Sequence, residues 1–218
     1  FLGIFLSSCR HKLIYGKKNK ITVRIRSIMR EAYKDKRSMF SIAGGKGVKV
    51  GGIHFKGKQE GYEYAKSCLE TSGNVIVQDK IEGREFTVMA LTDGENIVVT
   101  PITFDYPYRF DEDKGPGTGG MGCLSFENGL LPFLKQKDVD ECAKLIKNTL
   151  KYVNKDSMEF NGVIYGGFFK TKNGIKFIEF NARFGDPEAL NVLNSLETPF
   201  TDVMENVLSN GTADSVLT

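Results

Sequence analysis

Hydrophobic and polar residues alternate in short runs along most of this chain, and the runs change period from place to place. Val75–Asp79, Glu85–Leu91, Asn96–Thr103, Gly162–Lys170 and Ile175–Phe180 read as strands, rich in β-branched and aromatic residues. Asp93-Gly94 and Asn173-Gly174 join successive runs with dipeptides that accept the left-handed backbone of a tight hairpin. Elsewhere the period approaches that of a helix. Val139, Ala143, Ile146, Leu150 and Val153 share one side of Lys137–Val153, with Asp138, Asp140 and Glu141 near its positive end. Tyr64, Ala65, Cys68 and Leu69 do the same over Glu60–Glu70. Pro187 opens a helix through Val192 and Leu196, and a last helix covers Thr201–Leu208. A short strand through Val48 and Val50 follows the glycine run at Gly44–Gly47, and Asp105–Phe126 reads as one long glycine-rich loop. From Leu13 to Arg37, helix and strand are equally arguable. Hairpins separated by helices give an α+β plan, antiparallel sheets with helices packed on them.

Composition narrows the field without naming a function. At 218 residues the chain can bury a sizeable core, and 40% hydrophobic with 26% charged residues is ordinary for a globular protein. A net charge of +3 is too small to argue for nucleic acid, although Arg10–Arg37 is rich in Lys and Arg. No run is long enough to cross a bilayer, so no membrane partner is expected. Cys9, Cys68, Cys123 and Cys142 lie far apart, which fits free thiols in a reducing, cytoplasmic setting rather than zinc or a disulfide framework. His11 and His54 are too few for a histidine metal site. The start at Phe1 suggests a fragment of a longer chain, and the expected state is a monomer or part of that longer chain.

The candidate chemistry is concentrated in a few places. Strand alternation puts Glu179, Asn181 and Arg183 on one face, with Ile178 and Phe180 on the other. A carboxylate, an amide oxygen and a guanidinium side by side suit Mg²⁺ and phosphate, because Mg²⁺ takes one or two protein oxygens plus phosphate oxygens. A solvated strand with a salt bridge would use the same residues. Gly44, Gly45, Lys46 and Gly47 could cradle an anion with backbone N–H groups, or form a glycine turn with a solvated lysine. Gln78, Asp79 and Ile81 could offer an edge to adenine and Glu85 could reach ribose hydroxyls, or the segment is a charged turn. Gly115–Gly122 sets many glycines around Thr118 and Met121, as backbone wrapping a small anionic ligand requires. Asp105, Asp111 and Asp113 precede it and could hold an amine or hydroxyls.

In this order the segments AGGKGV (Ala43–Val48), EGREFTV (Glu82–Val88), DKGPGTGGMG (Asp113–Gly122) and IEFNARFGDPE (Ile178–Glu188) resemble the ATP-grasp superfamily and, within it, the phosphoribosylamine–glycine ligase family. The resemblance implies an α+β ATP-grasp fold with the nucleotide held between two subdomains. It also implies a ligase of purine synthesis in which ATP phosphorylates glycine and the amine of 5-phosphoribosylamine attacks the acyl phosphate. By that resemblance Glu179 and Asn181 hold Mg²⁺ (or Mn²⁺) against the phosphates of ATP, the co-substrate. Gly44, Gly45, Lys46 and Gly47 close over those phosphates, Gln78, Asp79 and Ile81 flank the adenine, and Glu85 also serves ATP. Arg183 stabilises the phosphoryl group in transfer, and Asp105, Gly119, Gly120, Met121 and Asp186 line the glycine and amine side.

The chain departs from the family pattern at three points. Ser38 stands where the family has a second phosphate-binding lysine, with Lys36 on the same strand face. The Asp-His-Lys run of the substrate loop is Asp105-Tyr106-Pro107, and the Pro-Asn-Thr run is Pro116-Gly117-Thr118. The flanking domains of the family are not visible. Residues 1–37 are therefore expected as an unassigned basic segment, 38–92 as a small subdomain with the phosphate loop, and 93–218 as a large subdomain with the substrate loop and metal site. A catalytically weak ATP-binding module, or a ligase with another amine or amino acid, is the alternative.

Overall fold

The alternating runs assemble into two four-stranded antiparallel sheets, each with its own core. The computed structural model describes residues 12–14, 40–44, 47–50, 55–72, 75–79, 81–112, 114–154 and 160–208. Contacts divide the chain into two compact units, Phe1–Ile81 and Glu82–Thr218.

The first unit contains β1 (Lys12–Ile14), β2 (Phe40–Gly44), β3 (Gly47–Val50), α1 (Lys58–Ser72) and β4 (Val75–Asp79), with strand order β1-β4-β2-β3. Tyr62, Ala65 and Cys68 recur every third residue on α1 and so share a face, which packs on Phe55, Val75 and Val77. The segment left open between helix and strand contributes β1 at its start, paired with β4. Gly44 pairs with Gly47, so two glycines of the phosphate-loop motif are strand ends. Gly45 and Lys46 lie outside the described residues, as do Ser38, Lys36 and Asp113.

The second unit runs through β5 (Arg84–Thr92), β6 (Ile97–Val99), β7 (Phe104–Asp105), β8 (Tyr108–Phe110), β9 (Lys114–Gly117) and β10 (Cys123–Leu124). It continues with α2 (Gln136–Val153), β11 (Gly162–Thr171), β12 (Gly174–Asn181), α3 (Glu188–Asn194) and α4 (Phe200–Leu208). Its large sheet has the order β12-β11-β5-β6. The sequence reading drew its subdomain boundary after Thr92, whereas the units divide before Glu82. The reason is pairing: β5 matches β11 from Arg84 to Thr92, so the strand cannot be parted from the second sheet. The turn from β5 to β6 is held by Asp93, whose carboxylate accepts the N–H of Glu95 at 2.9 Å and of Asn96 at 2.6 Å.

The segment expected as a glycine-rich loop is more ordered than that. β7 pairs with β10 and β8 with β9, and Tyr106 exchanges backbone bonds with Met121 and Gly122 at 2.8 and 2.9 Å. At α3, Pro187 sits at the N-cap after a cis Asp186–Pro187 bond, and the helix stops at Asn194 rather than reaching Leu196.

One face of the large sheet is apolar along its length. Phe86, Val88 and Ala90 of β5 and Ile164 and Phe168 of β11 meet Val139, Ile146 and Leu150 of α2. The amino end of α2 is tied down by Asp138, which is buried, accepts the N–H of Lys135 at 2.9 Å and pairs with Lys170 at 2.5 Å. On the opposite face, Leu91 and Val163 meet Val203 and Val207 of α4.

A β-bulge decides which residues of β12 reach which face. Gly167 stands opposite Glu179 but Phe168 stands opposite Phe177, so Ile178 is an extra residue. Phe177 and Phe180 therefore both pack on the α2 core, with ring centroids 4.3 Å apart, where strict alternation would separate them. Ile178 was expected on the side of Phe180. Its Cδ1 instead lies 3.5 Å from where a Cβ on Gly167 would stand, on the Glu179 side.

Candidate functional site

Beyond the bulge, β12 carries Glu179 and Asn181 on the face away from α2. Residues in register share a face, so two rows cross the sheet, Thr87–Gly167–Glu179 and Met89–Tyr165–Asn181. Gly167 leaves space between the outer members of the first row. Asn181 Nδ2 donates to Glu179 Oε1 at 3.3 Å, which holds the amide and the carboxylate side by side. Arg183 was expected to continue their alternation. The strand ends at Asn181, and the guanidinium, beyond a bend, donates to the Phe184 carbonyl at 2.8 Å.

Three further carboxyl groups lie near enough to act on one another: Glu85 on β5, which also feels the charge of Glu179, Asp105 on β7 and Glu188 at the start of α3. Glu188 is buried and receives the Tyr165 hydroxyl at 3.1 Å, while Thr87 Oγ1 donates to Tyr165 at 2.9 Å. A Cβ on Gly185 would collide with the Glu188 carboxylate, so glycine is needed there. Much of the Glu85 residue is exposed, yet protein atoms strip water from its carboxyl. That desolvation, then the charges of Asp105, Glu179 and Glu188, push it up to about 7. Burial, then Glu188, likewise raises Asp105, and burial with Glu188 and Asp105 raises the Cys123 thiol.

The donor set suits a divalent ion that keeps most of its shell for other ligands. Among the described residues no group of three or more His, Cys, Asp and Glu forms a metal cage. A carboxylate and an amide fit instead the demand of Mg²⁺ for one or two protein oxygens, completed by phosphate and water.

The glycine-rich segment folds against the start of α3. A Cβ on Gly120 would collide with Pro187, and Gly120 has φ +135°, so only glycine serves there. Gly119 and Gly122 have open space where a Cβ would stand, so packing does not explain them. The N–H groups of Thr118, Gly120 and Met121 are taken by Pro107 O, Thr118 Oγ1 and Tyr106 O. Met121 is exposed and Asp186 is exposed beside it in the fold. In the first unit, Gln78 and Asp79 pair in β4 with Ser41 and Phe40, and Ile81 is half-buried. Sequence reading gave Glu188 no role and missed Thr87 and Tyr165. The signal for Thr87 was present in β5, where Glu85 and Thr87 alternate with the core residues Phe86 and Val88.

Residues 18–189 match the phosphoribosylglycinamide synthetase, ATP-grasp (A) domain. The chain belongs to that family. It is 44% identical over 179 residues to the phosphoribosylamine–glycine ligase of Methanobrevibacter smithii, covering 80% of this chain and 41% of that protein. It is 45% identical over 178 residues to the one from Methanococcus vannielii, covering 80% and 40%. The phosphoribosylamine–glycine ligase structure from Thermotoga maritima superposes with a TM-score of 0.75 at 24% identity, covering 94% of this chain and 51% of that one. The fold is thus the α+β ATP-grasp fold, and the chain spans about two fifths of the length of the curated relatives it matches.

The crowded carboxyls of this ATP-grasp domain predict a pH signature. Glu85 ionises at about 7 when folded against 4.5 ordinarily, so the folded state holds its proton longer. Its contribution to stability is complete below pH 4.5 and is lost as pH rises through 7. Thermal melts should show wild type losing more stability over that window than Glu85→Gln; parallel curves would contradict the assignment.

Proposed function

We propose that the chain is the ATP-grasp core of a ligase that joins glycine to 5-phosphoribosylamine and releases ADP and phosphate. The observation that carries this reading is the Glu179–Asn181 pair, turned out of the core in a chain of this family. The names of the relatives supply the two substrates.

In the proposed sequence, a glycine carboxylate oxygen attacks the γ-phosphorus of ATP and ADP leaves. The neutral amine then attacks the acyl carbon, phosphate leaves, and the amine gives up a proton. A carboxylate oxygen is a poor leaving group and phosphate a good one, which is why ATP is needed. Mg²⁺ (or Mn²⁺), held by Glu179 and Asn181, would neutralise phosphate charge. Arg183 would stabilise charge on the phosphoryl group in transfer. Gly44, Gly45, Lys46 and Gly47 would cradle the phosphates, Gln78, Asp79 and Ile81 would flank adenine, and Glu85 would meet the ribose hydroxyls. Asp105, Gly119, Gly120, Met121 and Asp186 would serve glycine and the amine, in a reducing, cytoplasmic setting. ADP release that requires Mg-ATP, glycine and phosphoribosylamine together is the expected result. ADP release with another amino acid but not glycine would overturn the choice of substrate.

Ser38 motivates a second reading, a module that binds Mg-ATP and turns it over poorly. On that reading Ser38→Lys should raise ADP release by about tenfold, the effect of roughly 1.4 kcal/mol of added transition-state stabilisation. An unchanged rate in a steady-state ADP assay would remove Ser38 as the cause of any weakness.

A further inference from the structure

Glu188 is a buried carboxyl group that no described lysine or arginine pairs with. Its described partners are hydroxyls, Tyr165 at 3.1 Å and Thr87 at 3.5 Å. Asp105 faces the same space, near enough for the charge of Glu188 to act on it. A buried carboxyl group without a cation is disfavoured, so Glu188, with the half-buried Asp105 near it, asks for a positively charged partner.

A separate observation points to the same place. Thr103 is wholly buried, and its Oγ1 has no hydrogen-bond partner. The backbone fixes which way it faces. Thr103 and Thr87 exchange N–H···O bonds at 2.9 and 3.2 Å, and such a pair carries its side chains on one face. Ile102 and Phe104 on either side pack into the α2 core. The Thr103 hydroxyl and the Asp105 carboxyl are therefore turned to the face that holds Thr87, Tyr165 and Glu188.

We propose that Glu188, Asp105 and Thr103 Oγ1 form the seat of a primary ammonium group. An ammonium has three N–H donors and no acceptor, and these three side chains offer three acceptors. A water molecule could satisfy Thr103 but would leave two carboxyls without a positive charge. The ammonium belongs to the amino acid rather than to the attacking amine, because a nucleophile must be unprotonated and this seat favours the protonated form. Taking the amino acid to be glycine rests on the proposed ligase function. The seat itself does not.

The test is calorimetry on the full chain with glycine, ammonium chloride and glycine betaine, whose nitrogen carries no hydrogen, and with Mg-ATP measured alongside. Glycine should bind wild type, ammonium chloride should compete with it, and betaine should not bind. Glycine affinity should fall by about tenfold in Glu188→Gln and by about threefold in Thr103→Val, as expected for losing one hydrogen bond to a charged group. Mg-ATP affinity should hold in both. Thr103→Val is nearly isosteric and removes only an unbonded hydroxyl, so it decides the matter if Glu188→Gln does not fold. Ammonium chloride binding without glycine binding would assign the seat to the free ion. Betaine binding as well as glycine, unchanged glycine affinity in Thr103→Val, or no binding of either ammonium compound to wild type overturns the proposal. Failure of Mg-ATP to bind, with the ammonium results as expected, would instead overturn the ligase reading.

Discussion

Glu179→Ala is expected to lower ADP release by about a hundred- to a thousandfold, the usual cost of removing one preorganised charge-stabilising group from a phosphoryl or acyl transfer site. The fold should survive the change. Glu179 is exposed, and among the described residues its carboxylate accepts a hydrogen bond from Asn181 and belongs to no hydrophobic core. Relief of repulsion should also bring the Glu85 carboxyl down from about 7, because the charge of Glu179 is one cause of its elevation. A steady-state ADP assay at saturating Mg-ATP reads the first effect, and a titration of Glu85 by carbon-detected magnetic resonance reads the second. A variant that retains near-normal turnover would remove the metal role from β12.

Lys170→Met should cost the second unit about 3 kcal/mol at neutral pH, the low end for breaking a buried ion pair, because Lys170 keeps some contact with water. The change strands Asp138, whose carboxyl is 5% exposed and anchors the amino end of α2. Burial alone would raise Asp138; the hydrogen bond from Lys170, then the Lys135 N–H and the Lys170 charge, hold it below 3.8 instead. A depressed carboxyl stabilises the fold above its unfolded value and loses that contribution as pH falls through the folded one. The variant removes the main cause of the depression. Its deficit against wild type should therefore shrink as pH drops below about 4, in the range where an ordinary carboxylate takes up its proton. Urea denaturation at pH 7 and at about pH 2.5 measures both, and an equal deficit at the two values would mean that the loss is of packing rather than of charge.

Strands such as β4, from Val75 to Asp79, and β5, from Arg84 to Thr92, were legible because each obeys one period, whereas the bulge at Ile178 breaks that of β12. The hairpins followed from Asp93-Gly94 and Asn173-Gly174, whose glycines do take φ of +96° and +93°. The segment from Asp105 to Phe126 was misjudged because its pairings are two to four residues long, too short to impose a period on a glycine-rich sequence. Site residues brought together by one strand, such as Glu179 and Asn181, could be read from spacing. The Thr87–Tyr165–Glu188 contacts could not, since their members are distant in sequence and meet only through the register of β5 with β11.

Ile178 acts as a phase shifter for everything downstream of it. Were β12 to alternate strictly with that residue still in place, acid and amide would turn into the α2 core and the ring of Phe180 would turn out of it. Removing Ile178 altogether would remove the bulge as well and leave the acid and the amide on their present side. Relatives one residue shorter at this point would be expected to carry their acid directly after the last core ring, so the phase counted from that ring matters there as much as the identity of the acid.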